Sequence, residues 1–366
     1  MINNIFTNFY SKLKIKFKEF KNRFKFNLSK KISSQKIVIN ENGFLLDFTK
    51  NNYLSFHLRP KKFQDFNLES TCIVNEKIGI VIQGPIKNNF DFLKNTLKIY
   101  EKIFKSNLIV ISTWDSENLK KIKSLSSDNV HIIFNKEPSK SISNIDHQTT
   151  STYAGLKYLQ DKKINYVLKQ RADIRIGKNN LETFLISLIK SFPVHKKDLS
   201  INSRIIVPTI NTYKYRLYSL TDIVMFGELN DLIKYFDKEP YEIGIKKFNL
   251  NKNSILINNT PVVAEIFLCA RYLKKFDKIK DWDLENWWSS LRDYFCVVDN
   301  SSLDIFWFKY DWEYEFKNSK TYAHKFVRCL DFNDWFSLYN NAENNWDSAF
   351  PEHEKYDEKM RIKNFL

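Results

Sequence analysis

The sequence predicts an α/β domain built on a mostly parallel sheet flanked by helices, and three observations carry that expectation. Apolar, β-branched runs at 77–83 and 107–114 have the profile of buried parallel strands, and 129–134 and 164–173 read as a third and a fourth strand. Segments of helical periodicity at 90–105, 115–126 and 144–160 separate them. Strand alternating with helix at this spacing implies right-handed crossovers, and such sheets place their ligands at the C-terminal strand ends.

Composition narrows the class. The 366 residues are 43% hydrophobic and 27% charged with only seven glycines, which excludes collagen-like, elastic and disordered chains. No run approaches the ~18 apolar residues of a bilayer span. Charge interrupts the N-terminal region from Lys12 onward, so no secretory leader is expected and the chain should stay in the cytosol. Cys72, Cys269, Cys296 and Cys329 form no C-x-x-C pair and read as buried thiols, and the six histidines make no zinc pattern. The net charge of +16 is uneven: residues 1–36 carry ten Lys or Arg and one acid, Glu19.

That segment reads as one amphipathic helix. Phe6, Phe9, Leu13, Phe17, Phe20 and Phe24 recur every three or four residues, with lysines on the other faces. A phenylalanine stripe flanked by ammonium groups suits an anionic membrane surface, at roughly 1 kcal/mol per cation. The clustering of charge there argues against nucleic acid as a partner, since a nucleic-acid-binding protein would carry basic stripes along the domain.

The strand ends supply the candidate site. The first strand stops at Gln83-Gly84-Pro85, placed to line a nucleotide cleft or to shape the turn. The second ends at Trp114-Asp115, where the carboxylate suits either a base or ribose hydrogen bond or the cap of the following helix. The fourth ends in Arg171-Ala172-Asp173-Ile174-Arg175, one carboxylate between two guanidiniums. This suits a divalent cation at Asp173 with phosphates on the arginines, or a plain ion network. The run 204–222 mixes tyrosines with Asn211, Lys214 and Arg216, which suits sugars and phosphates, and Asp222 opens a further strand. Glu265 stands among apolar residues in the first turn of a helix beginning near Pro261. Burial there raises its pKa toward that of a general base while the helix N-terminus pulls the other way. Neither G-x-G-x-x-G nor a P-loop occurs.

In order, Ile82-Gln-Gly-Pro85, Ser112-Thr-Trp-Asp115, Asn144 with Gln148 and Ser151-Thr152, Val167-Leu-Lys-x-Arg171-x-Asp173-x-Arg175, Asn211-Thr-x-Lys214-x-Arg216, and Asp222 with Met225-Phe-Gly227 resemble the WavE lipopolysaccharide synthesis family. The likeness covers about residues 77–275. It implies a GT-A-like glycosyltransferase that moves a sugar from a nucleotide-sugar donor to a lipopolysaccharide, lipooligosaccharide or capsule acceptor at the cytoplasmic membrane face. Gln83, Gly84, Asp115, Arg171 and Arg175 would then bind the nucleotide, Asn211, Lys214 and Arg216 the acceptor, and Asp222 and Glu265 would act in catalysis. Asp173 would hold Mn²⁺ or Mg²⁺, although the D-x-D of GT-A enzymes is here Arg171-Ala172-Asp173 with a single acid. The expected organisation is a basic helix at 1–36, a connecting segment at 37–76, the catalytic domain at 77–280 and a Trp-rich helical extension at 281–366 packed on it. The alternatives are a nucleotidyl- or phosphotransferase, for which Gly84-Pro85-Ile-Lys87 is a poor phosphate loop, and a basic nucleic-acid-binding protein.

Overall fold

The computed structural model describes residues 38–39, 45–46, 74–104, 107–139, 141–194, 200–237, 264–278, 283–310, 329–341 and 344–346. The chain divides into two units, Met1–Pro60 and Lys61–Leu366. In the first, β1 (Val38–Ile39) pairs antiparallel with β2 (Leu45–Leu46). The basic helix predicted over 1–36 and most of the connecting segment lie outside the described residues.

The second unit is an α/β layer structure, as expected. Its strands are β3 (Ile78–Gln83), β4 (Leu108–Trp114), β5 (Val130–Asn135), β6 (Tyr166–Arg171), β8 (Ile205–Pro208), β9 (Val224–Glu228) and β10 (Phe295–Val298). They form one sheet in the order β10-β8-β9-β6-β3-β4-β5. Only β9 runs against its neighbours; the pairs β3–β4, β4–β5, β3–β6 and β10–β8 are parallel. A second ladder joins β7 (Ile174–Ile176) to β11 (Ile305–Trp307) antiparallel. The edge strand β10 comes from beyond residue 280, so the C-terminal segment builds part of the sheet as well as packing on it.

Helices α1 (Phe90–Ile103), α2 (Leu119–Lys123) and α3 (Ile145–Asp161) fill the crossovers between β3, β4, β5 and β6. The α2 segment is shorter than its periodicity predicts, because Asn118 caps it by accepting from Lys121 N at 3.0 Å. Helix α3 lies directly on the sheet at Gly155, where a Cβ would stand 2.7 Å from Val81 Cγ1. A side chain there would lift the helix off β3. Helices α4 (Leu181–Ser191), α5 (Leu229–Phe236), α6 (Ala264–Lys274), α7 (Leu284–Tyr294), α8 (Asn300–Leu303) and α9 (Phe332–Tyr339) complete the described helices.

Trp287, Trp288 and Trp335 are fully buried, so these tryptophans serve as core. Truncating any one would cost about 3–5 kcal/mol. Cys269, Cys296 and Cys329 are buried, as expected, and Cys72 lies outside the described residues. Among the described residues no helix is long and apolar enough to cross a membrane.

Candidate functional site

The sheet fixes the place of the cleft. Successive strands β3, β4 and β5 run to one side, and the next, β6, returns to the other side of β3. The crossovers after β3 and β6 therefore diverge, which opens a crevice at their C-terminal ends. Gln83 and Arg171 are register partners at this point, and both line a cleft of about 360 Å³.

Gly84 turns the chain away from the sheet at φ +108°, with its N–H on Ser112 O at 3.1 Å. An L side chain is strained at that φ, while the space outside it is open. Gln83 Oε1 accepts from Ser151 Oγ at 2.9 Å, which ties the strand end to α3. Trp114 is buried at the end of β4, with its ring edge-on to His147 at 5.3 Å. Glu137 approaches His147 Nε2 at 3.6 Å, and both line the cleft with Gln148. Asn144, just before α3, adopts φ +60° and makes no side-chain cap bond; Ser141 Oγ accepts from Asp146 N instead.

At Ala172 the chain leaves the main sheet for the β7–β11 ladder, and Asp173 sits at the corner. Arg171 grips it bidentately, with Nε donating to Oδ1 and Nη2 to Oδ2, both at 2.9 Å. Trp307 Nε1 donates to Oδ2 at 2.9 Å from a strand 134 residues away in sequence. Burial alone would lower the pKa of Arg171, but the charge and hydrogen bonds of Asp173 outweigh it and the net direction is upward. Arg175 takes no part in this pair. It is buried on β7 with its guanidinium 5.3 Å from the Phe92 ring and 5.1 Å from Phe306, and it does not line the cleft.

The reversed strand β9 explains why Asp222 belongs to the same neighbourhood. Val224 pairs with Gln170, and Ile223 O accepts from Arg171 N. Because β9 is antiparallel to β6, the residues just before its start, Asp222 and Ile223, reach the ligand-facing edge of the sheet. Asp222 is 1% exposed, and neither carboxylate oxygen has a hydrogen-bond partner among the described residues. Its backbone oxygen accepts from Lys169 Nζ. Lys169 is fully buried, and burial lowers its pKa to about 8. Glu265, in the first turn of α6, has its pKa raised by burial and then by the charge of Asp222, while its own backbone N–H, Arg216 and Arg171 pull downward. Glu265 thus lies within electrostatic reach of Asp222, Arg216 and Arg171.

None of the remaining candidates lines the cleft. Asp115 is exposed, accepts weakly from Glu137 N at 3.4 Å, and is neither the α2 cap nor part of the cleft lining. Lys214 is 3% exposed and is held by Asp334 at 2.9 Å. Asn211 sits at φ +60° in the turn beside Tyr213, and the guanidinium of Arg216 lies 5.9 Å from the Tyr213 ring. Sequence reasoning did not single out Glu137, His147, Asn89 or Lys309, all of which line the cleft. It also missed Glu117, which accepts from Ile86 N at 2.7 Å and Lys87 N at 2.9 Å. Those are the amides a phosphate loop would offer, so this turn is closed to that use.

The donor set does not fit the divalent cation that the resemblance implies. Both oxygens of Asp173 are engaged by a guanidinium, which would stand beside any metal ion and repel it. Among the described residues no three His, Cys, Asp or Glu side chains gather around one point.

The chain matches the WavE lipopolysaccharide synthesis family over residues 78–356. No curated protein matches it. Among solved structures, the galactosyltransferase LgtC in complex with donor and acceptor sugar analogs is similar at 12% identity. The match covers 61% of this chain and 73% of that one, with a TM-score of 0.31. A 4-diphosphocytidyl-2C-methyl-D-erythritol synthase from Anaerococcus prevotii is also similar at 12% identity, over 56% of this chain and 85% of its own, with a TM-score of 0.32. Likenesses this faint leave the functional reading to the family and to the site.

Proposed function

Because the chain belongs to the WavE lipopolysaccharide synthesis family, we propose that it is a glycosyltransferase. It moves a sugar from a nucleotide-sugar donor to a lipopolysaccharide, lipooligosaccharide or capsule acceptor. The observation that carries this reading is the polar cleft at the β3/β6 divergence, with Gln83 and Arg171 side by side on its floor.

In this reading Trp114, Gly84 and Gln83 meet the nucleoside, and Arg171 meets the diphosphate. As the bond between the sugar and the diphosphate breaks, negative charge grows on the leaving oxygens. A guanidinium already fixed by Asp173 stabilises that charge without reorganising. The acceptor hydroxyl attacks the anomeric carbon, and its proton passes to the Glu265–Asp222 pair. The raised pKa of Glu265 makes it a stronger base than an ordinary carboxylate. Arg216 and Asn211 flank the acceptor side. The basic segment 1–36 holds the enzyme at the cytoplasmic membrane face through its ten lysines and arginines, so deleting residues 1–30 should weaken binding to anionic vesicles.

A thermal-shift screen with nucleoside diphosphates tests the reading. At 100 times Kd a ligand adds about 2.7 kcal/mol. For a unit of about 300 residues this raises the melting temperature by about 4 °C. No shift with any of them at millimolar concentration would contradict the assignment.

A further inference from the structure

We propose that the cleft holds the donor diphosphate on Arg171 and Lys309 without a divalent cation, and that Asp173 is the positioning residue that aims Arg171. The inference rests on the nucleotide-sugar reading above and names how the charged end of that substrate is recognised.

Three features of the β6–β7 corner carry it. First, the bidentate pair consumes the Nε/Nη2 edge of Arg171 and fixes its plane, while the side chain still lines the cleft. The guanidinium carries five N–H donors, so the Nη1 end remains for a ligand oxygen. Second, Trp307 Nε1 locks the same carboxylate, with the Arg171 guanidinium 5.5 Å from its ring, so Asp173 is held on the side away from a bound anion. Third, the chain after Trp307 brings a second cation to the same wall. Phe308 N donates to Asp173 O at 2.9 Å, and the next residue, Lys309, is exposed and lines the cleft. Arg171 and Lys309 therefore bring two cations to the lining that holds Asp173. That is the charge a diphosphate needs, and it is supplied where the resemblance would place a metal. An ammonium serves as a point charge, whereas the guanidinium supplies direction.

Titration calorimetry with UDP, GDP, ADP and CDP, each in EDTA and in Mn²⁺, tests this on the full chain. For any diphosphate that binds, the Kd in EDTA should lie within about threefold of the value in Mn²⁺. Lys309→Ala should weaken binding about tenfold in EDTA and flatten its salt dependence, with Lys309→Arg restoring most of the loss. Unchanged melting of Lys309→Ala shows that the loss is not a folding defect. Binding that weakens more than tenfold in EDTA overturns the proposal and leaves the nucleotide-sugar reading standing. An unchanged Kd for Lys309→Ala overturns it too. If no diphosphate binds in either condition, both readings fall.

Discussion

Replacing Asp173 with Asn keeps the size of the side chain and removes its charge, and the structure says what that should cost. Wild-type Asp173 receives two charged hydrogen bonds from Arg171 and one from Trp307. The asparagine oxygen can keep the indole, but its amide nitrogen faces a guanidinium with no acceptor to offer. Breaking one partner of a buried ion pair costs about 3–5 kcal/mol. The Arg171 side chain is 29% exposed and partly rehydrates, so the expected loss is about 2–3 kcal/mol. Unfolding entropy of about 2.1 cal/mol/K per residue over about 300 residues is about 0.6 kcal/mol/K, so the melting temperature should fall by about 3–5 °C. Differential scanning fluorimetry of the ligand-free variant measures it. The reasoning is refuted if the ligand-free variant melts like wild type and loses an Mn²⁺-dependent shift that wild type shows, the behaviour of a free metal ligand.

Other outcomes follow from the same geometry. Glu265→Gln should lower transfer by about 10²–10⁴-fold if this acid takes the acceptor proton. Its raised pKa means that the folded state holds the proton more tightly, so wild-type stability falls as pH climbs from 4.5 through the raised value. Above that window the variant should melt at or above wild type; a variant that is fully active, or less stable there, contradicts the role. Lys169 has the opposite sign. With its pKa lowered from 10.5 to about 8, wild-type stability should rise relative to Lys169→Met between those pH values, and a flat difference across the window would show the lysine is not desolvated. Gly155→Ala should cost about 1–3 kcal/mol, because its Cβ would meet Val81 Cγ1 at 2.7 Å and α3 must lift. Equal melting temperatures would mean the helix moves freely.

How far the sequence could be read depended on whether the signal was local. Strands β3 and β4 were legible because a strand buried on both faces must be a run of apolar, largely β-branched residues, and 78–83 and 108–114 are such runs. The direction of β9 leaves no mark in hydropathy, yet it is what carries Asp222 to the edge beside Arg171. Arg171, Gln83 and Gly84 could be found because a polar residue closing an apolar strand is conspicuous. The fates of Asp173 and Lys214 could not, because their partners Trp307 and Asp334 lie 134 and 120 residues away. Arg175 looked equivalent to Arg171 in the R-x-D-x-R run. A change of sheet at Ala172 separates them, placing one at the cleft and the other between phenylalanine rings. Lys309 carried no motif at all, and only the β7–β11 pairing brings it to the cleft.

The central claim is that the β3/β6 cleft is where a nucleoside diphosphate binds, and hydrogen exchange read by mass spectrometry with and without the best-binding diphosphate tests it most directly. The account predicts slowed exchange at the turn 83–89, at the start of α3 around 144–149, and at the corner 171–173. Protection confined to other segments, with these three unchanged at saturating ligand, would contradict it.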